Sequence, residues 1–250
     1  MPKADSCRKH PAVSVRGMSR RRPVAAWVWQ LAADRPGTMH EVILDELRSV
    51  ILAGSARPGV PINVEDVARR FGASPIPVRE ALKTLIGESL VDHTPRSGYR
   101  VAQLTRTELA EIYVVREALE TAALAAAVCA ATAEDDVEVA AAHEALTRAI
   151  GEGDARGHHV YSRRLHLALS RPCRMRRLLG MFESAWNITE PLQPMSHVGD
   201  AMTHELHEDH RTMVEAFHAR DAEVLLSASS LHYRRLQEVV ETLPAIRLLP

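Results

Sequence analysis

The stretch NVEDVARRFGASPIPVREALKTLIGESLVDHTPRSGYRV, residues 63–101, identifies the fold. Its middle, SPIPVREAL at 74–82, opens a helix with two prolines. Ser74 is a good N-cap, Pro75 takes the first helical position and Pro77 still lies in the first turn. The first N–H groups of a helix have no intrahelical partner, so neither proline removes a hydrogen bond. Val78, Ala81, Leu82 and Leu85 then recur at helical spacing and predict a buried stripe. Arg79 and Lys83, four apart, share the outer face. Upstream, Asn63 predicts the cap of a short helix with Val67, Ala68 and Phe71 inward, and Gly72 stops it. After Gly87, LVDHTPRSGYRV predicts two short strands, 90–93 and 99–102, joined by a turn containing Gly98. Two helices across a tight turn, then a hairpin, make a winged helix-turn-helix. In that motif the second helix lies in the major groove of DNA with its N-terminal residues, here Ser74, Ile76 and Arg79, at the bases.

Before this stretch, Val42, Ile43, Leu47, Val50 and Ile51 mark one face of a helix over 39–53, ended by Gly54. RPGVPI reads as a turn. Residues 105–242 read as helices over 105–130, 133–151, 154–169, 173–190, 199–218 and 221–242, with short breaks that make neighbours antiparallel. The fold class is therefore mostly α. A winged helix-turn-helix of three helices and a small β-hairpin wing, residues 38–102, is joined to an all-α six-helix antiparallel bundle, residues 103–250. Residues 1–37 hold RKH, SRRRP and four prolines in all, and read as a basic, disordered tail. Such an arm suits phosphate contact, whereas Trp27 and Trp29 could instead start a short helix.

Charge follows the same division. Residues 1–37 carry a net +6, residues 38–102 are neutral and residues 103–250 carry −7. Aromatic residues make up only 4%, so alanine, leucine and valine must fill the core. No apolar run reaches the roughly 18 uncharged residues of a membrane span. The basic N-terminus lacks the apolar run and small-residue cleavage site of a secretory signal. Cys7, Cys129 and Cys173 are odd in number and unpatterned, which fits free thiols in a reducing cytoplasm. THELHEDH at 203–210 does not have the H-E-x-x-H spacing of a zinc hydrolase. The residues alone leave open a helical metal-binding module or metalloenzyme whose winged helix no longer reads DNA.

RSVILAGSARPGVPINVEDVARRFGASPIPVREALKTLIGESLVDHTPRSGYRVAQLT closely resembles the winged-helix domain of the GntR family of bacterial transcription regulators. The marks are the PG turn, the helix ending in FG, PVREAL, the G-x-x-LV step and the wing glycine. EIYVVREALE, LHLAL, EDHRTMVEAFHARD and LHYRRL resemble the FCD ligand domain of the FadR-like subfamily. The resemblance implies a homodimer on double-stranded operator DNA, nucleoid-associated in the cytoplasm and acting as a regulator rather than an enzyme. It most often implies a repressor released by a small carboxylate effector. Arg79 matches the arginine of the recognition helix, and its fork suits guanine O6 and N7. Lys83 lies beside it. Gly98 matches the wing-tip glycine, with Arg96 and Arg100 placed to grip phosphates. Pro75 and Glu65 depart from positions where the family usually or often has arginine, which implies a different operator and more reliance on Arg79, Lys83 and the basic tail.

Metal-binding members of the subfamily use an aspartate, a histidine four residues later, and one histidine from each of two later helices. His166, His210 and His232 match the histidines, but the aspartate position is Ser162. A serine hydroxyl is a poor ligand for a divalent metal. Three arrangements follow: three imidazoles holding zinc or a similar ion with an open position, a substitute ligand such as His158 on the same helical face, or a metal-free polar pocket for an anion. Arg116 matches an arginine usual on the first helix of this domain and suits a bidentate carboxylate. Its plain alternative is a surface pair with Glu120, four residues on.

Overall fold

The structure is a computed structural model that describes residues 23–34, 36–194 and 198–243. Helix α1, Met39–Leu52, starts on a capping box in which the Thr38 side chain accepts from the Glu41 N–H and Glu41 reaches back. It buries Val42, Ile43, Leu47, Val50 and Ile51, the stripe expected from spacing. Asn63 caps α2, Val64–Arg70, and α3 runs Pro75–Gly87. Strands β2, Val91–Thr94, and β3, Gly98–Val101, form the wing. A third strand, β1 at Pro61–Ile62, pairs antiparallel with β3 in the order β1-β3-β2. The composition of RPGVPI predicts only a turn there. Two residues are too few for alternation to show, and a proline is tolerated because β1 is an edge strand. Arg48 forks onto Glu88 at 2.9 and 2.7 Å and ties α1 to the end of α3.

Residues 24–33 correct the expected extent of the tail. They include a 3-10 turn, Ala26–Gln30, that buries Trp27 and Val28 in the winged-helix core together with Leu31. The Ala32 N–H donates to the buried Glu46 carboxylate at 2.8 Å. Residues 1–22, on which the expectation of disorder also fell, lie outside the described residues.

The remaining helices are α4 Arg106–Ala130, α5 Ala133–Gly151, α6 Ala155–Ser170, α7 Arg176–Thr189, α8 Asp200–Ala219 and α9 Ala222–Thr242. Thr105, Thr132, Asp154 and Asp221 cap α4, α5, α6 and α9. Helix α4 lies at the centre, against α6, α7 and α9. Arg220 closes the α8–α9 corner in a left-handed conformation, its guanidinium held by Asp136 at 2.7 and 2.8 Å. The bundle has one apolar layer around Leu124, Leu146, Leu165, Met213 and Phe217, and another around Leu109, Tyr113, Leu206, Tyr233 and Leu236. Along α4, α8 and α9, the polar residues Glu120, His210 and His232 fall between the two layers, and all are buried. Among the described residues no helix is long and apolar enough to cross a membrane.

Candidate functional site

The DNA-facing candidates sit where α3 and the wing project from the core. The buried stripe Val78, Ala81, Leu82 and Leu85 turns Arg79 outward, and Arg79 makes no ion pair among the described residues. Ile76 stands 71% exposed at the helix start, an apolar group suited to a thymine methyl. Lys83 is engaged with Glu80 at 2.8 Å on the open surface, a pairing worth little in water and readily exchanged for phosphate. Ser74 occupies the N-cap position but makes no side-chain cap bond. Pro77, at N3, has no N–H to offer a capping hydroxyl, so only the Ile76 N–H at N2 remains, and that bond is not made. The Ser74 hydroxyl is thus left exposed for other partners.

The wing turns at Thr94–Ser97, where the Ser97 N–H donates to the Thr94 carbonyl at 3.0 Å. Pro95 leads and Arg96 follows at φ 69°, a left-handed position that favours glycine. Gly98, at φ 83°, has no atom within 4 Å of where a Cβ would sit. The tip therefore has bare backbone with an arginine projecting beside it. Arg100 is partly occupied: it donates to the Gly59 carbonyl at 3.2 Å and to Ser97 Oγ at 3.4 Å.

Inside the bundle, α6, α8 and α9 bring His166, His210 and His232 together, with one ring nitrogen of each within 4.8 Å of the others. The geometry orients two of them from behind. His166 Nδ1 lies 2.6 Å from Glu120 Oε1, and the Tyr233 hydroxyl donates to Glu120 Oε2 at 2.6 Å. An ionised Glu120 needs a donor, so His166 carries its proton on Nδ1 and presents the Nε2 lone pair. Burial works to raise Glu120, but His166 and Tyr233 outweigh it and hold the carboxyl below its usual range. His232 Nδ1 lies 3.6 Å from Asp209, whose other oxygen pairs with Arg235. His166 Nε2 and His210 Nε2 are 3.1 Å apart. Either a proton or a cation must lie between two such nitrogens. Burial, then the neighbouring imidazoles, pushes His210 far below its ordinary pKa. Burial likewise holds His232 down at about 4. Neutral imidazoles backed by carboxylates are the chemistry a divalent metal needs, so these residues fit one.

A small cavity beside the cluster is lined by Arg116, His159, Ser162, His166, Trp186 and His232. Arg116 is 3% exposed, and its guanidinium carbon lies 3.6 Å from the centre of the Trp186 ring. It donates to Thr189 Oγ1 at 3.4 Å and has no carboxylate in ion-pair range among the described residues. The surface pair with Glu120 is not formed, because Glu120 is turned inward to His166 and Tyr233. Ser162 lines the cavity, but His158, though buried, is not in the three-histidine cluster. It stands two turns from His166, and the turn between them carries Ser162. His159 bonds instead to the buried Glu190 at 2.5 Å.

Sequence reasoning missed Glu120, Asp209 and Glu190. Glu120 had a visible signal: a carboxylate in line with the apolar stripe of α4, three turns past Leu109.

Residues 40–101 match the family of bacterial regulatory proteins called gntR, and residues 111–235 match the FCD domain. The "Probable D-xylose utilization operon transcriptional repressor" of Paenarthrobacter nicotinovorans is 30% identical over 200 residues, spanning 78% of this chain and 85% of that protein. HTH-type transcriptional regulator McbR of Escherichia coli (strain K12) is 28% identical over 181 residues, 72% of this chain and 82% of that one. The solved structure of E. coli McbR/YncC superposes with a TM-score of 0.72 at 24% identity, covering 82% of this chain and 98% of that chain, a likeness of fold.

Proposed function

The chain belongs to the GntR family of bacterial regulatory proteins and carries an FCD domain behind its winged helix, and on that basis we propose how its parts divide the work. It is a ligand-responsive, DNA-binding transcription regulator and not an enzyme. In our reading it is a cytoplasmic homodimeric repressor, with residues 38–102 reading the operator and residues 103–250 binding effector and pairing subunits. Arg79 contacts bases, with Ser74 and Ile76 beside it, while Lys83, Arg96, Gly98 and Arg100 engage the backbone around the wing.

The effector is a small carboxylate, and one observation carries this: Arg116 is buried and stacked on Trp186 with no carboxylate in ion-pair range among the described residues. An unpaired buried cation is costly, and a bidentate carboxylate would offset that cost. His166, His210 and His232 would hold a divalent metal, zinc by the preference of three imidazoles with an open position. Bound there, such an ion would supply a Lewis-acidic positive charge beside the Arg116 cavity. Glu120 and Asp209 hold the imidazoles in place, and Trp186 excludes water from the Arg116 face.

The test uses protein purified without a nickel column. Metal content is measured first, then Trp186 fluorescence during titration with a panel of small carboxylates. About one equivalent of metal per chain and a saturable response to at least one acid are expected, both lost together in His210→Ala. Arg116→Ala should retain metal and lose the response. Less than a tenth of an equivalent of any metal would remove the metal from this reading. A response that survives Arg116→Ala would remove the carboxylate clamp.

A further inference from the structure

The histidine pattern extends outward from the buried cluster. His143 on α5 and His207 on α8 stack where those helices pack, with ring centres 5.2 Å apart. His207 lies 6.4 Å from His210, ring to ring, and His210 lies 5.1 Å from His166 and 4.4 Å from His232. One row of rings therefore leads from the α5–α8 surface to a cluster whose three members are at most 2% exposed. At the outer end His143 lines an open groove with Glu144, Thr147 and His218.

The outer pair is arranged to present lone pairs. The Thr147 hydroxyl donates its single proton to the His143 carbonyl at 2.9 Å. Toward His207 Nε2, 3.2 Å away, that oxygen can only accept. His207 therefore carries its proton on Nε2 and has a lone pair at Nδ1. That Nδ1 and the Nε2 of His143 are buried atoms with no hydrogen-bond partner among the described residues. Burial, the largest cause for each, lowers both imidazoles from their ordinary pKa and favours the neutral form. A buried polar atom without a partner costs free energy until something fills the place. Two imidazoles that each bind one tetrahedral ion at about 2.0–2.1 Å have ring centres roughly 5 Å apart, as this pair has.

We propose that His143 and His207 form a second, outer site for a divalent transition-metal ion, and that an ion passes from it along His207 to the buried cluster. Two imidazoles leave the remaining positions to water, so the outer site is weaker than the inner one and exchanges with solvent faster. The passage rests on the metal reading of His166, His210 and His232 given above, whereas the outer site does not.

The full chain is stripped with a chelator, dialysed, and titrated with zinc against a chromophoric competitor at neutral pH. Native protein should take up one tight and one weaker equivalent. His143→Gln combined with His207→Gln should lose the weaker equivalent and keep the tight one, and His210→Ala should do the reverse. Thr147→Val, a replacement at an exposed position that keeps both imidazoles, should weaken the outer site about tenfold by freeing the His207 tautomer. In stopped flow the double variant should fill and empty the tight site more slowly, with the tight affinity unchanged. Melting of the metal-free forms checks the fold of each variant. A single equivalent that the double variant leaves intact overturns the outer site and the passage with it. A weaker equivalent that survives the double variant also overturns the site, because that ion is bound elsewhere. An outer affinity unmoved by Thr147→Val overturns it even if the double variant fails to fold. Loss of the weaker equivalent with tight-site loading at the native rate overturns the passage. A single equivalent lost in the double variant but kept in His210→Ala supports the outer site and removes the inner metal.

Discussion

Arg79 owes its position to four apolar neighbours. Val78, Ala81, Leu82 and Leu85 are fully buried, so the opposite face of α3 must meet solvent or DNA. Arg79→Ala should therefore leave the melting temperature within a degree or so and cost about 1–3 kcal/mol of specific binding, measured as competition between an operator duplex and random DNA. His158 offers a second test at this scale. Burial, then His159, His207 and His232, lowers it to about 4 from an ordinary 6.5. Between those values the unfolded chain binds a proton that the folded chain refuses, so stability falls as pH drops through that window. The gap is worth about 3 kcal/mol at most. Urea titrations from pH 7 to 4 should show this loss together with that of His210 and His232, which are depressed in the same direction, and His158→Gln should remove only its own share. The residue-scale partners are least legible in the sequence. Arg116 and Glu120 are four apart on one helix, which left a surface pair open beside the pocket reading, and each has a buried partner on another helix.

At the element scale, one segment joins the two halves. The segment after α7 touches both. Thr189 accepts from Arg116 and Glu190 bonds to His159, while three residues on Gln193 Nε2 donates to the Ala53 carbonyl at the end of α1, at 2.9 Å. Gln193 is held in a left-handed conformation at φ 46°, and a Cβ on Gly54 would lie 2.8 Å from its amide. A carboxylate drawing on Arg116 would pull on this strap. Gln193→Ala should leave effector and DNA affinities near native when each is measured alone. The ratio of DNA affinities with and without effector should shrink toward one, from the roughly 5–150-fold range of a coupling of about 1–3 kcal/mol. A ratio as large as native would place the coupling elsewhere. Behind the histidines, Glu120→Gln should weaken metal binding about 10–100-fold, because His166 would lose its charged acceptor. Competition against a chromophoric chelator reads that directly.

At the scale of the whole molecule, the winged helix and the bundle have separate apolar cores. Heating should unfold them in two steps. If His166, His210 and His232 hold a metal as proposed, stripping it should lower the bundle step alone, since a ligand stabilises only what binds it, by about 4 kcal/mol at a thousandfold excess over Kd. A shift of both steps together would mean one cooperative unit. Much of this architecture was legible in the chain. The Asn63 cap, the stripes of α1 and α3, and the glycine stops each depend on residues within a turn of one another. Helix geometry makes such signals local, so the chain alone specifies the elements, their order and the family likeness. It also specifies that three histidines fall at matching places. Packing between helices settles what stands behind them. Glu120 meets His166 across 46 residues and Tyr233 across 113, and Trp186 meets Arg116 from a different helix. The docking of Trp27, which turns residues 24–33 from apparent tail into a wall of the cleft beside α2 and the wing, is settled the same way. Those pairings depend on which helix faces are forced together when the apolar layers close, and no periodicity within one segment encodes them.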